Sequence, residues 1–253
     1  MEVGLSYQAV VFDLFDTVVM FDYAKMPKIV VNGKTSRTTM GVTFQALLEA
    51  CPEIQWDHFF HALARADEEM RPQKEVGREF PSTHRFLRVL QFLVPEKKEF
   101  HTPEFVEKLV RRHMQTLLDC AYLPEEHRAL LDELSGCYTL GLLSNFDYAP
   151  AAEEMIDNME LRNYFSKIAI SDTLGWRKPH PEVFRAIVTD LKVCATESVY
   201  VGDTYETDVL GAKGIGMQVF WINLKGQEIQ NRVRPDFEIT SFVDLRDYLL
   251  PAG

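Results

Sequence analysis

From Pro124 to Thr240 short apolar runs alternate with helical sequence, and this alternation restricts the fold more than any other property of the chain. The runs are Tyr138 to Leu143, Lys167 to Ile170, Ser198 to Val201, Gln218 to Ile222 and Phe237 to Thr240, the last four each preceded by helical periodicity. Strands separated by helices pair in parallel, and right-handed crossovers then place helices on both faces of the sheet. Near the start, the apolar run Val10-Val11-Phe12 enters Asp13 and reads as one more buried strand. The turn after it exposes a carboxylate at the carboxyl edge of the sheet, where open α/β folds place their chemistry. The expectation is an α/β fold, a Rossmann-like parallel sheet with helices on both faces.

More than a hundred residues separate Asp13 from the next strand, and most of that interval has helical spacing. Apolar residues recur at Phe44-Leu47-Leu48-Cys51, Phe59-Phe60-Leu63, Phe86-Leu87-Leu90-Phe92-Leu93 and Phe105-Leu109-Met114-Leu117-Leu118, enough for four helices packed on one another. Pro52, Pro72, Pro81, Pro95 and Pro103 are expected between these helices or at their starts. Ile29 to Thr35 carries Asn32-Gly33, the signature of a tight hairpin, and reads as a small flap. Residues 21–124 are therefore expected to form an inserted helical domain, with 1–20 and 125–253 forming the sheet domain.

Composition narrows the partners. The 253 residues are 46% hydrophobic, sufficient for a large core. Lys+Arg 27 against Asp+Glu 38 gives a formal charge of -11, which repels nucleic acid and anionic membranes. Arg111-Arg112-His113 is the densest basic stretch and reads as a solvated helix face. The four cysteines, Cys51, Cys120, Cys137 and Cys194, form no C-x-x-C pair, which argues against a zinc site or a disulfide framework and for mostly buried thiols. Met1 to Ser6 shows no basic stretch before an apolar segment, and no run reaches ~18 apolar residues, so a soluble cytoplasmic protein acting on a small molecule is expected.

Four segments carry chemistry. Asp13 opens the first, Asp13-Leu14-Phe15-Asp16-Thr17. Ser144-Asn145 ends a strand with a hydroxyl and an amide suited to an oxyanion; alone, the pair reads as a helix cap. Lys178 lies in Trp176-Arg177-Lys178-Pro179-His180-Pro181, where it can neutralise a carboxylate and a bound anion together. Val199-Tyr200-Val201-Gly202-Asp203-Thr204-Tyr205-Glu206-Thr207-Asp208 places two acids after a strand. Such oxygen ligands suit Mg²⁺, although by themselves they equally well bracket a helix start.

Taken in order, the four segments resemble the motifs of the haloacid dehalogenase (HAD) superfamily. The resemblance implies a nucleophilic Asp13, a transferring group bound by Ser144, Asn145 and Lys178, and Mg²⁺ held by Asp13, Asp203 and Asp208 with the main-chain carbonyl of Phe15. The helical insertion is similar to the family's cap, which selects substrate. It further implies a hydrolase, most simply a Mg²⁺-dependent phosphatase working through an aspartyl-phosphate on a small phosphorylated metabolite. One position departs from the pattern: Phe15 stands where family phosphatases carry a second aspartate, the group that protonates the departing alkoxide. General acid-base help of this kind contributes ~10²–10⁴ in rate.

Asp16 is the neighbouring carboxylate, but a shift of one residue redirects a side chain, so capping of the local turn is the expected role. His61 and His84 are alternative proton sources and read as helix-surface residues. An aromatic residue at position 15 also resembles the metal-independent L-2-haloacid dehalogenase branch, where halide leaves without a proton. A non-catalytic phosphometabolite-binding protein is the third alternative. The loops from Gly33 to Arg37 and from Gly77 to Glu79 are candidate substrate contacts, or simply exposed polar loops.

Overall fold

A computed structural model describes residues 7–31, 34–229 and 231–250. Met1 to Ser6 lie outside the described residues, as do Asn32 and Gly33, on which the expected tight hairpin falls. In chain order the elements begin with β1 (Ala9–Phe12), β2 (Met20–Phe21), β3 (Lys28–Val31), β4 (Lys34–Arg37), α1 (Met40–Ala50), α2 (Trp56–Glu75), α3 (Ser82–Leu93) and α4 (Pro103–Leu118). They continue with β5 (Ala121–Tyr122), α5 (Glu125–Ser135), β6 (Thr139–Ser144), α6 (Ala149–Asn158), β7 (Lys167–Ile170), α7 (Ser171–Leu174) and α8 (Pro181–Leu191). The chain ends with β8 (Ser198–Gly202), α9 (Leu210–Gly214), β9 (Gln218–Ile222), β10 (Phe237–Ile239) and α10 (Leu245–Leu249).

Six strands form one parallel sheet in the order β10-β9-β8-β1-β6-β7. The strand runs expected from the sequence are the strands observed. The central strands are covered on both faces: β1 and β8 are buried at every position. On one face Val11, Leu143, Tyr200 and Trp221 pack with Phe184 and Ile187 of α8. Phe12, on the other, meets Phe165 at 6.2 Å and Phe242 at 5.7 Å between ring centroids. Complete burial of each such side chain contributes about 1.5–3 kcal/mol, so the central strands are the most strongly held. From β1 the chain passes to β6 and β7, then returns to β8 and continues to β9. Connections therefore leave β1 and β8 in opposite directions, which opens a crevice above their carboxyl ends.

Two compact units divide the chain, one comprising Met1–Met20, Tyr122–Phe146 and Ile156–Gly253, the other Phe21–Ala121 and Asp147–Met155. The second contains the four expected helices and the antiparallel pair β3-β4. Its core gathers Leu47, Phe59, Leu63, Phe86, Leu90, Leu109 and Met114. Local chemistry sets the helix boundaries. Thr102 accepts from the Phe105 N–H at 3.3 Å and Pro103 takes the first position of α4, where no amide hydrogen is needed.

Three expectations are corrected. The stretch Arg111-Arg112-His113 is not solvated throughout, because His113 is buried on the inner side of α4. Pro72 does not punctuate but lies inside the last turn of α2, where the ring's fixed φ suits a helix and only one carbonyl loses its donor. The thiols are evenly split rather than mostly buried, Cys51 and Cys120 inside and Cys137 and Cys194 exposed, all four free. Among the described residues no helix is long and apolar enough to cross a membrane.

Candidate active site

Asp13 follows β1 directly, and its N–H donates to Val201 O at 2.8 Å, so the first residue past the strand is still tied to β8. The register aligns Phe12 with Leu142 on one side and Val201 on the other. Ser144 and Asp203 consequently sit on the carboxyl edge beside Asp13. Lys178 reaches the same place from the loop before α8. All the side chains that the motifs single out at this edge belong to the sheet unit.

Lys178 is 3% exposed and Asp13 7%. The ammonium nitrogen lies 2.5 Å from Asp13 Oδ1, 2.7 Å from Asp208 Oδ1 and 2.8 Å from the Tyr200 hydroxyl. Its three hydrogens thus have three acceptors. Asn145 brackets the lysine's main chain: its Nδ2 donates to Lys178 O at 3.0 Å and its Oδ1 accepts from Lys178 N at 2.7 Å. Asp208 is carried by a π-helical turn, Tyr205–Val209, and its Oδ2 accepts from Thr204 N at 3.0 Å. Gly202 makes room for it. A Cβ there would sit 2.5 Å from Asp208 Cγ and Oδ2, so no side chain fits. Asp203 is fixed through its carbonyl, which accepts from Trp221 Nε1 at 2.8 Å.

Carboxylates dominate the electrostatics of this edge. Carboxylate oxygens of Asp13, Asp203 and Asp208 lie within 4.8 Å of one another, and Lys178 is the cation among them. Burial pushes the Asp13 carboxyl up to about 7; Lys178 opposes this, while Asp208 and Asp203 add to it. Burial, together with Asp208, raises Asp203 to about 6. Lys178 is held charged: burial pulls it down, but Asp13 and Asp208 raise it by more. Three close carboxylates opposed by one ammonium form a site that a further cation would stabilise. All donors are hard oxygens, the ligand set that Mg²⁺ takes.

Ser144 Oγ and Thr17 Oγ1 are buried hydroxyls without a hydrogen-bond partner. An unsatisfied hydroxyl in a dry place is costly, and at Ser144 an oxygen of a bound anion would satisfy it. The Phe15 ring packs against that of Phe146 with centroids 5.0 Å apart. Asp16 follows in the left-handed region at φ 54°, its N–H donating to Val19 O at 2.7 Å, in a tight loop from Leu14 to Val19. Such a conformation is open to an aspartate in a turn, and Asp16 also adds to the negative potential at Asp203.

The remaining candidates belong to the helical unit. The His61 ring is within 2.7 Å of Asp57 O on the exposed side of its own helix. His84 lies tilted against Phe80, ring centroids 5.5 Å apart, and lines a cavity of about 590 Å³ with His101, Glu104 and Glu107. Arg37 donates to Met26 O at 3.0 Å. The segment before Phe80 is not a plain exposed loop, because Glu79 is buried and accepts from Phe80 N at 3.1 Å. Sequence reasoning passed over Tyr200 and the clamp made by Asn145. A phenol in the middle of an apolar strand is the signal that marks Tyr200, since a buried hydroxyl needs a partner.

Comparison with known proteins places this geometry in context. A family model described as haloacid dehalogenase-like hydrolase matches residues 23–222. A glyceraldehyde 3-phosphate phosphatase of Pyrococcus abyssi is 30% identical over 58% of this chain and 60% of its own length. Its counterpart from Pyrococcus furiosus is 26% identical over 70% of this chain and 72% of its own. The crystal structure of a 2-haloacid dehalogenase from Pseudomonas syringae pv. Tomato DC3000 superposes with a TM-score of 0.70 at 23% identity, covering 96% of this chain and 98% of that one.

Proposed function

Because the chain belongs to the haloacid dehalogenase-like hydrolases, we propose that it is a Mg²⁺-dependent phosphatase of small phosphorylated metabolites, with Asp13 as nucleophile and the helical unit as its cap. The observation that carries this reading is the trio Asp13, Asp203 and Asp208, balanced by one lysine. A dehalogenase has no use for such a set, whereas a phosphatase must bring a carboxylate against a phosphate dianion. The two Pyrococcus relatives, glyceraldehyde 3-phosphate phosphatases, point the same way.

Asp13 attacks phosphorus in line with the ester oxygen; the P–O bond to the substrate breaks and an aspartyl-phosphate forms, which water then cleaves to regenerate the carboxylate. Asp13, Asp203, Asp208 and the Phe15 carbonyl would hold the cation. When bound it screens the repulsion between nucleophile and phosphate and stabilises the equatorial oxygens. Lys178 adds a fixed positive charge beside the attacking oxygen, and Ser144 offers the free hydroxyl. Phe15 gives the departing oxygen no proton. Substrates whose leaving group is stable as an anion, aryl and acyl phosphates, are therefore favoured over alkyl phosphates.

The dehalogenase reading keeps one observation in its favour, the Phe15–Phe146 aromatic pair beside the nucleophile, since halide departs from carbon without a proton. One assay separates the two. Phosphate release from a panel of aryl, acyl and alkyl phosphates is measured with Mg²⁺ and with chelator, alongside halide release from 2-haloacids. Mg²⁺-dependent phosphate release supports the phosphatase; metal-independent halide release overturns it.

A further inference from the structure

We propose that Asn145 and Tyr200 are positioning residues that act on the transferring group only through Lys178, Asn145 by clamping its main chain and Tyr200 by holding its ammonium from turning. The inference rests on the phosphatase reading above. It also assigns Asn145 a different place from the substrate contact that the motif resemblance implies.

The hydrogen-bond inventory carries the argument. An ammonium has three donors and no acceptor. Two point at Asp13 Oδ1 and Asp208 Oδ1, and the third at the Tyr200 hydroxyl. Without that third acceptor a buried N–H would be orphaned, and the ammonium would have a reason to rotate away from the two carboxylates. Tyr200 is itself fully buried, and its single hydrogen has two acceptors within 3.3 Å, Leu143 O and Asp208 Oδ1. The phenol can therefore accept from Lys178 while donating elsewhere.

Asn145 controls the other end of the same residue. Its amide meets both the N–H and the C=O of Lys178, a two-point match that permits only one orientation of the Asn145 amide. The carbonyl oxygen is used by Lys178 N, and one Nδ2 hydrogen is used by Lys178 O. Lys178 lies in the short stretch between α7 and α8, with no ladder of its own. The amide therefore substitutes for secondary structure at the point where the lysine leaves the backbone. Nucleophile, screening charge and strand β6 are thus held in one rigid frame.

A double-mutant cycle tests this, with inorganic phosphate in the presence of Mg²⁺ as the probe and titration calorimetry as the readout. Asn145→Ala and Tyr200→Phe should each weaken phosphate binding at least ~10-fold, the factor for one lost hydrogen bond of ordinary worth, of which Asn145→Ala removes two. In a Lys178→Met background neither change should weaken it by more than about twofold, because the residue through which they act is gone. Equal losses in both backgrounds would show direct contact or a general structural effect and overturn the proposal. The wild-type complex with phosphate provides a test that needs no variant to fold. Asn145 Nδ2 on Lys178 O, with no phosphate oxygen within 3.5 Å of the Asn145 side chain, supports the proposal; a direct Asn145–phosphate bond overturns it. A wild type that binds no phosphate sinks the phosphatase reading and this inference with it, whereas wild-type binding with additive losses sinks this inference alone.

Discussion

Phe15 and Gly202 show how single positions set the chemistry of this edge. Phe15 occupies the position two residues after Asp13 and packs its ring on Phe146, so the loop is stabilised by aromatic packing where the proposed reaction would use an acid. Phe15→Asp should raise kcat on alkyl phosphates by ~10²-fold, the lower end of what a positioned acid contributes, and change aryl phosphates far less. An equal response from both substrate classes would mean that position 15 does not face the departing oxygen. Gly202 acts through space alone. In Gly202→Ala the new methyl must displace the Asp208 carboxylate, since it would lie 2.5 Å from Cγ. That breaks the bonds to Thr204 N and Lys178 together and leaves a buried ammonium short of one partner. The expected cost is about 3 kcal/mol in stability, as for removal of one member of a buried ion pair, together with weaker Mg²⁺ binding. Urea unfolding with and without Mg²⁺ measures both. A variant as stable as the wild type would show that Asp208 moves aside freely.

At the level of elements, α4 carries a pH response separate from the acidic edge of the sheet. His113 is buried on its inner face, with Nδ1 3.3 Å from Thr43 Oγ1 and its ring 5.4 Å from that of Phe86. Burial, assisted by the Arg85 charge, pulls its pKa down to about 4. An unfolded chain binds this proton near pH 6.5, and the folded one refuses it until about 4. Above pH 6.5 the imidazole is neutral in both states and adds no pH dependence. Between ~6.5 and ~4 the unfolded state binds more protons, so stability falls as the pH falls, by about 3 kcal/mol over the window. The raised carboxyls of Asp13 and Asp203 act in the opposite direction, so the difference between wild type and His113→Gln isolates the histidine. The wild type should lose stability more steeply on acidification than the variant. Parallel curves would mean that His113 takes up its proton in the folded state as readily as in the unfolded chain.

For the whole molecule, the sheet is legible in the sequence because strands covered on both faces must be apolar throughout, and β1, β6, β8 and β9 are short runs ended by turn residues. The four helices of α1 to α4 are legible through their spacing. Asp13, Ser144, Lys178, Asp203 and Asp208 stand out because each ends a strand or precedes a helix in a motif of fixed order. Asn145's clamp and Tyr200's hydroxyl do not, since their bonds to Lys178 join residues 33 and 22 apart in the chain. Only the folded crossovers bring them together. The summed charge adds a further consequence. With a formal charge of -11 over the chain and three acids against one lysine at the edge, a divalent cation would be attracted at long range and stabilised locally. Binding to the folded state alone stabilises it by ~2.7 kcal/mol at a concentration 100-fold above Kd. For a chain of this size the Tm should therefore rise by ~5–10 °C on adding saturating Mg²⁺ to metal-free protein. Asp203→Asn removes one ligand and one charge while leaving the Lys178 bridges intact, and should lose most of that rise. Salt should weaken the wild-type effect as it screens the surrounding acidic field. If Mg²⁺ raises the Tm of wild type and Asp203→Asn equally, the cation is held elsewhere and the acidic trio is not its site.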